Sequence, residues 1–188
     1  MPHAIDFDTI ESRLFTLHHL ALGSRSYCER FRISRACEDI EEYEWSHYMG
    51  HLKALVSGTM IDAAIKVRML QDIAKAEDDE FDVSALQEAA SRGLKVGTSD
   101  RGDPIALRRS CNKIIHGTEA RLVWRDSHAS DGREFEYWTG EYRLSGSDQP
   151  DTRWEVTINV ADWCIAMMRF NSEFQDRIDW GRFVKWDE

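Results

Sequence analysis

No apolar run in this chain approaches the roughly 20 residues that a membrane-crossing helix needs. The first residues, Met-Pro-His-Ala-Ile-Asp, lack the basic-then-apolar order of a secretory signal. Cys28, Cys37, Cys111 and Cys164 are scattered, with no Cys-x-x-Cys among them. They read as reduced, mostly buried thiols of a cytoplasmic protein. Repeats, low-complexity tracts and a linker between two domains are also missing, so 188 residues are expected to form one domain with its own core. Cations are in short supply: 24 Lys and Arg stand against 34 Asp and Glu, a formal net charge of -10. That balance argues against a general nucleic-acid binder. What is present, 42% hydrophobic and 31% charged residues, is the composition of a soluble globular protein.

The shortage of cations is uneven. Between Arg92 and Arg125 lie eight basic residues (92, 95, 101, 108, 109, 113, 121 and 125) and three acidic ones (100, 103 and 119), so this segment carries +5 and the remainder -15. A local cationic site on an acidic body suits a phosphate-bearing substrate.

Before that segment the periodicity is helical. Ile10, Leu14, Leu17 and Leu20 to Leu22 keep helical spacing from Asp6, and Gly23 is expected to end this helix. His18 and His19 are adjacent, hence about 100° apart around the axis and poorly placed to share one metal. Residues 24–44 are polar, partly helical, and acidic from Glu38 to Glu44. A long helix is expected from Trp45 to Ala76, with Met49, Leu52, Leu55, Val56, Met60, Ala63, Ala64, Val67 and Leu70 recurring at three and four. In it His47 and His51 stand one turn apart, with Glu44 a further turn back, a spacing that can hold a metal. A helical His-x-x-x-His without the neighbouring catalytic Glu arises easily by accident. A short helix then runs from Val83 to Arg92, and residues 94–102 form a Gly-bearing loop.

After Gly117 the period changes to two. Arg121 to Arg125, Glu134 to Leu144 and Trp154 to Val160 read as strands joined by turns, an antiparallel meander between residues 121 and 160. Its aromatic residues, Phe135, Tyr137, Trp138 and Tyr142, could stack on bases. They more readily pack the sheet against the helices. Residues 162–178 return to helix, and the tail 180–188 is expected to dock on the body or on a second subunit.

The junction between the two textures is the stretch Pro104-Ile-Ala-Leu-Arg-Arg-Ser-Cys-Asn-Lys-Ile-Ile-His-Gly-Thr118. It reads as a helix with Asp103 as N-cap, Pro104 in the first helical position and Gly117 as the stop. Leu107, Cys111, Ile114 and Ile115 fall within about 100° of one another and form an apolar stripe. Arg109, Asn112, Lys113 and His116 fall on the opposite side, again within about 100°. That face holds no acid.

This stripe resembles the motif of the HEPN superfamily, helical domains of many prokaryotic RNase toxins and defence proteins: an Arg, four to six residues, then a His near a helix end. Here Arg109 and His116 have six residues between them. Arg108 would leave seven, outside the pattern. The family usually places Asn, Asp or His directly after the Arg, where this chain has Ser110. The resemblance covers about fifteen residues closely and the helical layout loosely. It implies one HEPN-like domain over residues 1–188: helices over about 6–118, an inserted three-stranded antiparallel meander over about 121–160, and a C-terminal helix over about 161–178.

The chemistry fits the residues. RNA cleavage without a metal needs a group that takes or gives a proton and a charge that holds phosphate oxygens. A His side chain, with a pKa ordinarily near 6.5, does the first. An Arg guanidinium does the second. The expected roles are phosphate stabilisation for Arg109, general acid or base for His116, and substrate binding for Arg108, Asn112 and Lys113, with no metal or other cofactor. Seven residues of helix separate Arg109 from His116 by about 10 Å along the axis, so one helix gives a sparse site. The resemblance implies the remedy, a homodimer whose two motif helices build one composite site. The expected partners are therefore an RNA substrate, a second copy and, for a toxin, a cognate antitoxin, with no membrane. Two other readings stand beside this one: a non-catalytic HEPN-like module binding a nucleotide or a protein, and a helical-bundle metal enzyme using His47, His51 and Glu44. The plainest reading of the motif is a helix end at which His116 meets the negative end of the dipole and Arg109 pairs with Asp103 or Glu119.

Overall fold

The computed structural model describes residues 7–34, 40–77, 82–149 and 152–178, the side chains of 40–44, 77 and 149 excepted. The chain is mainly helical. Among the described residues five helices, α1 (Phe7–Phe31), α2 (Ile40–Glu77), α3 (Val83–Ser91), α4 (Leu107–His116) and α5 (Val160–Arg177), accompany four strands, β1 (Gly97–Ser99), β2 (Glu119–His128), β3 (Glu134–Gln149) and β4 (Thr152–Asn159).

α1 does not stop at Gly23. Its buried positions, Ile10, Leu14, Leu17, Ala21, Ser24 and Cys28, step by four and three without a break, so the stripe continues for two turns past the glycine. A mid-helix Gly costs about 1 kcal/mol against Ala. Burial of this extension outweighs it. The Ser24 hydroxyl accepts the Trp138 backbone N–H (3.1 Å) and bonds the Tyr48 hydroxyl (3.1 Å), while Cys28 joins Ile33, Trp45 and Phe135 in a second apolar cluster. α2 begins before Trp45 and buries most of the expected stripe, from Leu52 through Val56, Met60, Ala63, Ala64 and Val67 to Leu70. Met49 and Leu55 remain exposed.

The sheet has four strands rather than the expected three, in the order β1-β4-β3-β2, with every pairing antiparallel. Tyr142 faces Leu122 and Ile158 across the ladder, and Leu144 faces Ala120 and Val156. These alternate residues make the core face. The residues between them, Arg121, Arg143 and Glu155, form ion pairs on the other face. Phe135, Trp138 and Tyr142 are fully buried, so these aromatics pack the sheet on the helices and offer no stacking platform. Among the described residues no helix is long and apolar enough to cross a membrane.

The added strand β1 explains the displaced start of α4. Three residues are too short for a periodicity to show, yet β1 is bonded on both sides. Gly97 lies opposite Ile158 of β4, and its carbonyl accepts the Ile105 N–H (2.9 Å). Ser99 donates to the Asp103 carbonyl (2.9 Å), and Thr98 bridges to Pro104. Residues 103–105 are therefore extended. Asp103 is no N-cap and Pro104 no first helical residue. α4 starts at Leu107 with Ala106 as N-cap, which has no side chain to offer.

α4 is fastened to α5 through the residue at which the family pattern is broken. Ser110 is fully buried. Its hydroxyl donates to the Leu107 carbonyl (2.6 Å) and accepts the Trp163 indole N–H (3.0 Å). Beside it Cys111 Sγ lies 3.9 Å from Met167 Sδ. Ser110→Ala leaves a buried indole N–H without an acceptor, which costs about 1–3 kcal/mol. Denaturant unfolding is expected to show that loss with an unchanged m-value; stability equal to the native chain would break the account of how α4 is held.

Candidate functional site

The first turn of α4 borrows its cap from α3. Gln87 Oε1 accepts the Arg108 backbone N–H (3.0 Å). The two arginines that follow then part company. Arg108 turns to α2, where its guanidinium donates to Gln71 Oε1 (3.1 Å) and Asp72 Oδ1 (3.2 Å). It shares both residues with Arg68. Arg109 is exposed, and its guanidinium makes no hydrogen bond or ion pair among the described residues. It pairs with neither Asp103 nor Glu119, whose carboxylate instead accepts the Ser145 hydroxyl (3.2 Å).

The expected polar face divides in the same way. Lys113 is 7% exposed. Its ammonium donates to both carboxylate oxygens of Asp148 (2.7 and 2.9 Å) and sits 4.1 Å from the centroid of the Trp154 ring. The Lys113 hydrogen bond holds the Asp148 carboxyl below its ordinary pKa of 3.8, with smaller help from Trp154 and from the charge of Arg109. Trp154 in turn packs against Gly146, where a Cβ would stand 2.4 Å from the indole, so a larger residue there would have to displace the ring. Asn112 is half-buried and His116 exposed in the last turn, neither with a hydrogen-bond or ion-pair partner among the described residues. Gly117 closes the helix, though with a φ of -65°; its role is close approach, since a Cβ would meet the Lys113 carbonyl at 3.0 Å. Thr118 then donates to the Ser145 carbonyl (2.9 Å) and the chain enters the sheet.

A cleft of about 760 Å³ opens between α3 and the start of α4, lined by Ser84, Gln87, Arg92, Arg108, Arg109 and Asn112 among others. His116, two turns along α4, lies outside it. The structure thus exposes Arg109, Asn112 and His116 on α4 and commits Arg108 and Lys113 to ion pairs. Sequence reasoning gave Lys113 a substrate role because its partners, Asp148 and Trp154, are more than thirty residues away and carry no local signal. It missed Arg92 as a wall of the cleft, although the residue begins the basic segment.

The alternative metal site is thinner. The His47 and His51 rings lie 5.8 Å apart, centroid to centroid, on the exposed side of α2, and the side chain of Glu44 is outside the described residues. Among the described residues no three His, Cys, Asp or Glu side chains cluster in a way that could hold a metal ion. Cys28, Cys111 and Cys164 are buried free thiols, while Cys37 is outside the described residues. Burial pushes the Cys111 thiol up to about 12 and raises that of Cys164 as well. A thiolate is the reactive form, so neither is disposed to act as a nucleophile at neutral pH.

The Lys113–Asp148 pair has a pH signature. Because the folded state lowers the Asp148 pKa, the pair stabilises the fold above pH 3.8, and that contribution is lost as pH falls below this value. Asp148→Asn is expected to lower the Tm at neutral pH, with the gap to the native chain closing in acid. A gap that persists unchanged below pH 3.8 would assign it to packing rather than charge. No protein-family model matches this chain, and no match is found among curated proteins or solved structures.

Proposed function

We propose that this chain is a metal-independent endoribonuclease of the HEPN kind, a cytoplasmic toxin or antiviral effector with an inserted β-meander. Arg109 stabilises charge on phosphorus, and His116 is the general acid or base. One observation carries the reading: of the side chains expected to act on α4, Arg108 and Lys113 are consumed by Asp72 and Asp148, whereas Arg109 and His116 are exposed and unpartnered among the described residues. It also favours Arg109 over Arg108 as the functional arginine.

In the reaction the 2′-oxygen attacks phosphorus and the bond to the 5′-oxygen breaks. His116 takes the 2′ proton or gives one to the departing oxygen, while the guanidinium holds the non-bridging oxygens as negative charge builds. The same helix cannot enclose the phosphate alone, since Arg109 and His116 stand about 10 Å apart along its axis. A second copy presenting its own α4 completes the site, and for a toxin a cognate antitoxin would cover it.

Purified protein is expected to cleave RNA in the presence of EDTA. His116→Ala should slow cleavage by about 10² to 10⁴, the usual cost of losing a general acid or base. Arg109→Ala should do comparable damage and Arg108→Ala less. All three side chains lie off the core stripe, so circular dichroism should be unchanged. A folded His116→Ala variant cleaving at the native rate would return α4 to a plain helix end with a favourable charge. Light scattering is expected to show a dimer; a monomer at high concentration would remove the composite site.

A further inference from the structure

The cleft between α3 and α4 carries more donors than the proposed chemistry uses. Its lining includes three cations, Arg92, Arg108 and Arg109, against one acid, Glu88, a balance of +2. Arg108 is already engaged by Asp72, but Arg92 is not. Arg92 is the C-cap of α3: its backbone N–H donates to the Ala89 carbonyl (3.2 Å), and its own carbonyl accepts from Arg169 Nη1 (3.2 Å). The main chain is pinned on both sides of the residue, while the guanidinium is exposed and has no partner among the described residues.

Other unspent donors line the same cleft. Ser91 Oγ is buried without a hydrogen-bond partner. The Asn112 amide is unpartnered among the described residues. At the uncapped start of α4, the N–H groups of Leu107 and Arg109 have no acceptor among the described residues, since Gln87 takes only that of Arg108. A helix N-terminus favours negative charge. A cleft rich in unspent donors matches a ligand made of acceptors, and a phosphodiester is one. About 760 Å³ lies within the range of roughly 300–1,000 Å³ that small-molecule-sized ligands occupy.

We propose, on the ribonuclease reading above, that this cleft is a second phosphate subsite for single-stranded RNA, in which Arg92 holds the phosphate flanking the one held by Arg109. The scissile phosphate sits toward His116 and the strand runs back along α4 to α3. Arg92 is a binding residue here, outside the bond-breaking step.

Fluorescence anisotropy of a labelled oligouridylate against the His116→Ala protein tests this without cleavage. Arg92→Ala is expected to raise the Kd about tenfold and to lower the slope of log affinity against log salt by about 0.7, the loss of one single-strand phosphate contact. Arg92→Lys should restore the slope. Arg92 is exposed, so melting temperature and circular dichroism should not move. An unchanged Kd and slope in Arg92→Ala, or no RNA binding at all, overturns the subsite even if Arg109 and His116 cleave RNA. Binding that depends on Arg92 upholds it even if the native protein cuts nothing, in which case the ribonuclease reading alone falls.

Discussion

The Ser110–Trp163 hydrogen bond fixes where α4 sits, and Arg109, Asn112 and His116 depend on α4 for their placement. A ten-residue helix without a side-chain cap of its own is marginal in water. It persists because separate elements hold it. Gln87 of α3 closes its first turn, Ser110 and Cys111 attach its apolar side to α5, Arg108 ties it to α2, and Lys113 ties its far side to β3 and β4. These anchors leave one strip of the helix unused. Arg109, Asn112 and His116 fall on that strip, and their direction is set by what their neighbours are bonded to.

The helices and the alternation of the sheet were readable because each buries a stripe with its own period. Val83 to Ser91 and Trp154 to Asn159 match their patterns nearly to the residue. Failures have a common physical origin: local rules lost to contacts distant in sequence. Gly23 is a sound stop signal until Ser24 and Cys28 are seen to be buried by β3 and α2. Asp103-Pro104 is a sound helix start until Gly97 and Ser99 claim the backbone of residues 103–105. Within the site, the choice of Arg109 and His116 came from spacing, and the structure leaves both exposed. That Lys113 is a structural cation could not be read locally, because Asp148 and Trp154 belong to β3 and β4. Ser110 looked like a departure from a motif and is a buried anchor.

The charge distribution takes a sharper meaning from the same contacts. The segment from Arg92 to Arg125 has a surplus of five positive charges, but acids outside it neutralise three of its members: Asp72 with Arg108, Asp148 with Lys113, and Glu155 with Arg121. The acidic body therefore withdraws cations from general use as well as surrounding them. Of the five that remain, Arg92 and Arg109 lie on the wall of one cleft. An evenly basic surface would bind any polyanion along its length. A body carrying a net -15 outside this segment disfavours a nucleic-acid strand on balance and leaves the segment with unpaired cations as the favoured place to meet it. On the proposed reading, net acidity is thus part of recognition: it confines a phosphate chain to the short path from α3 along α4. Affinity there rests on few contacts, and a second copy supplying its own α4 is the economical way to raise it.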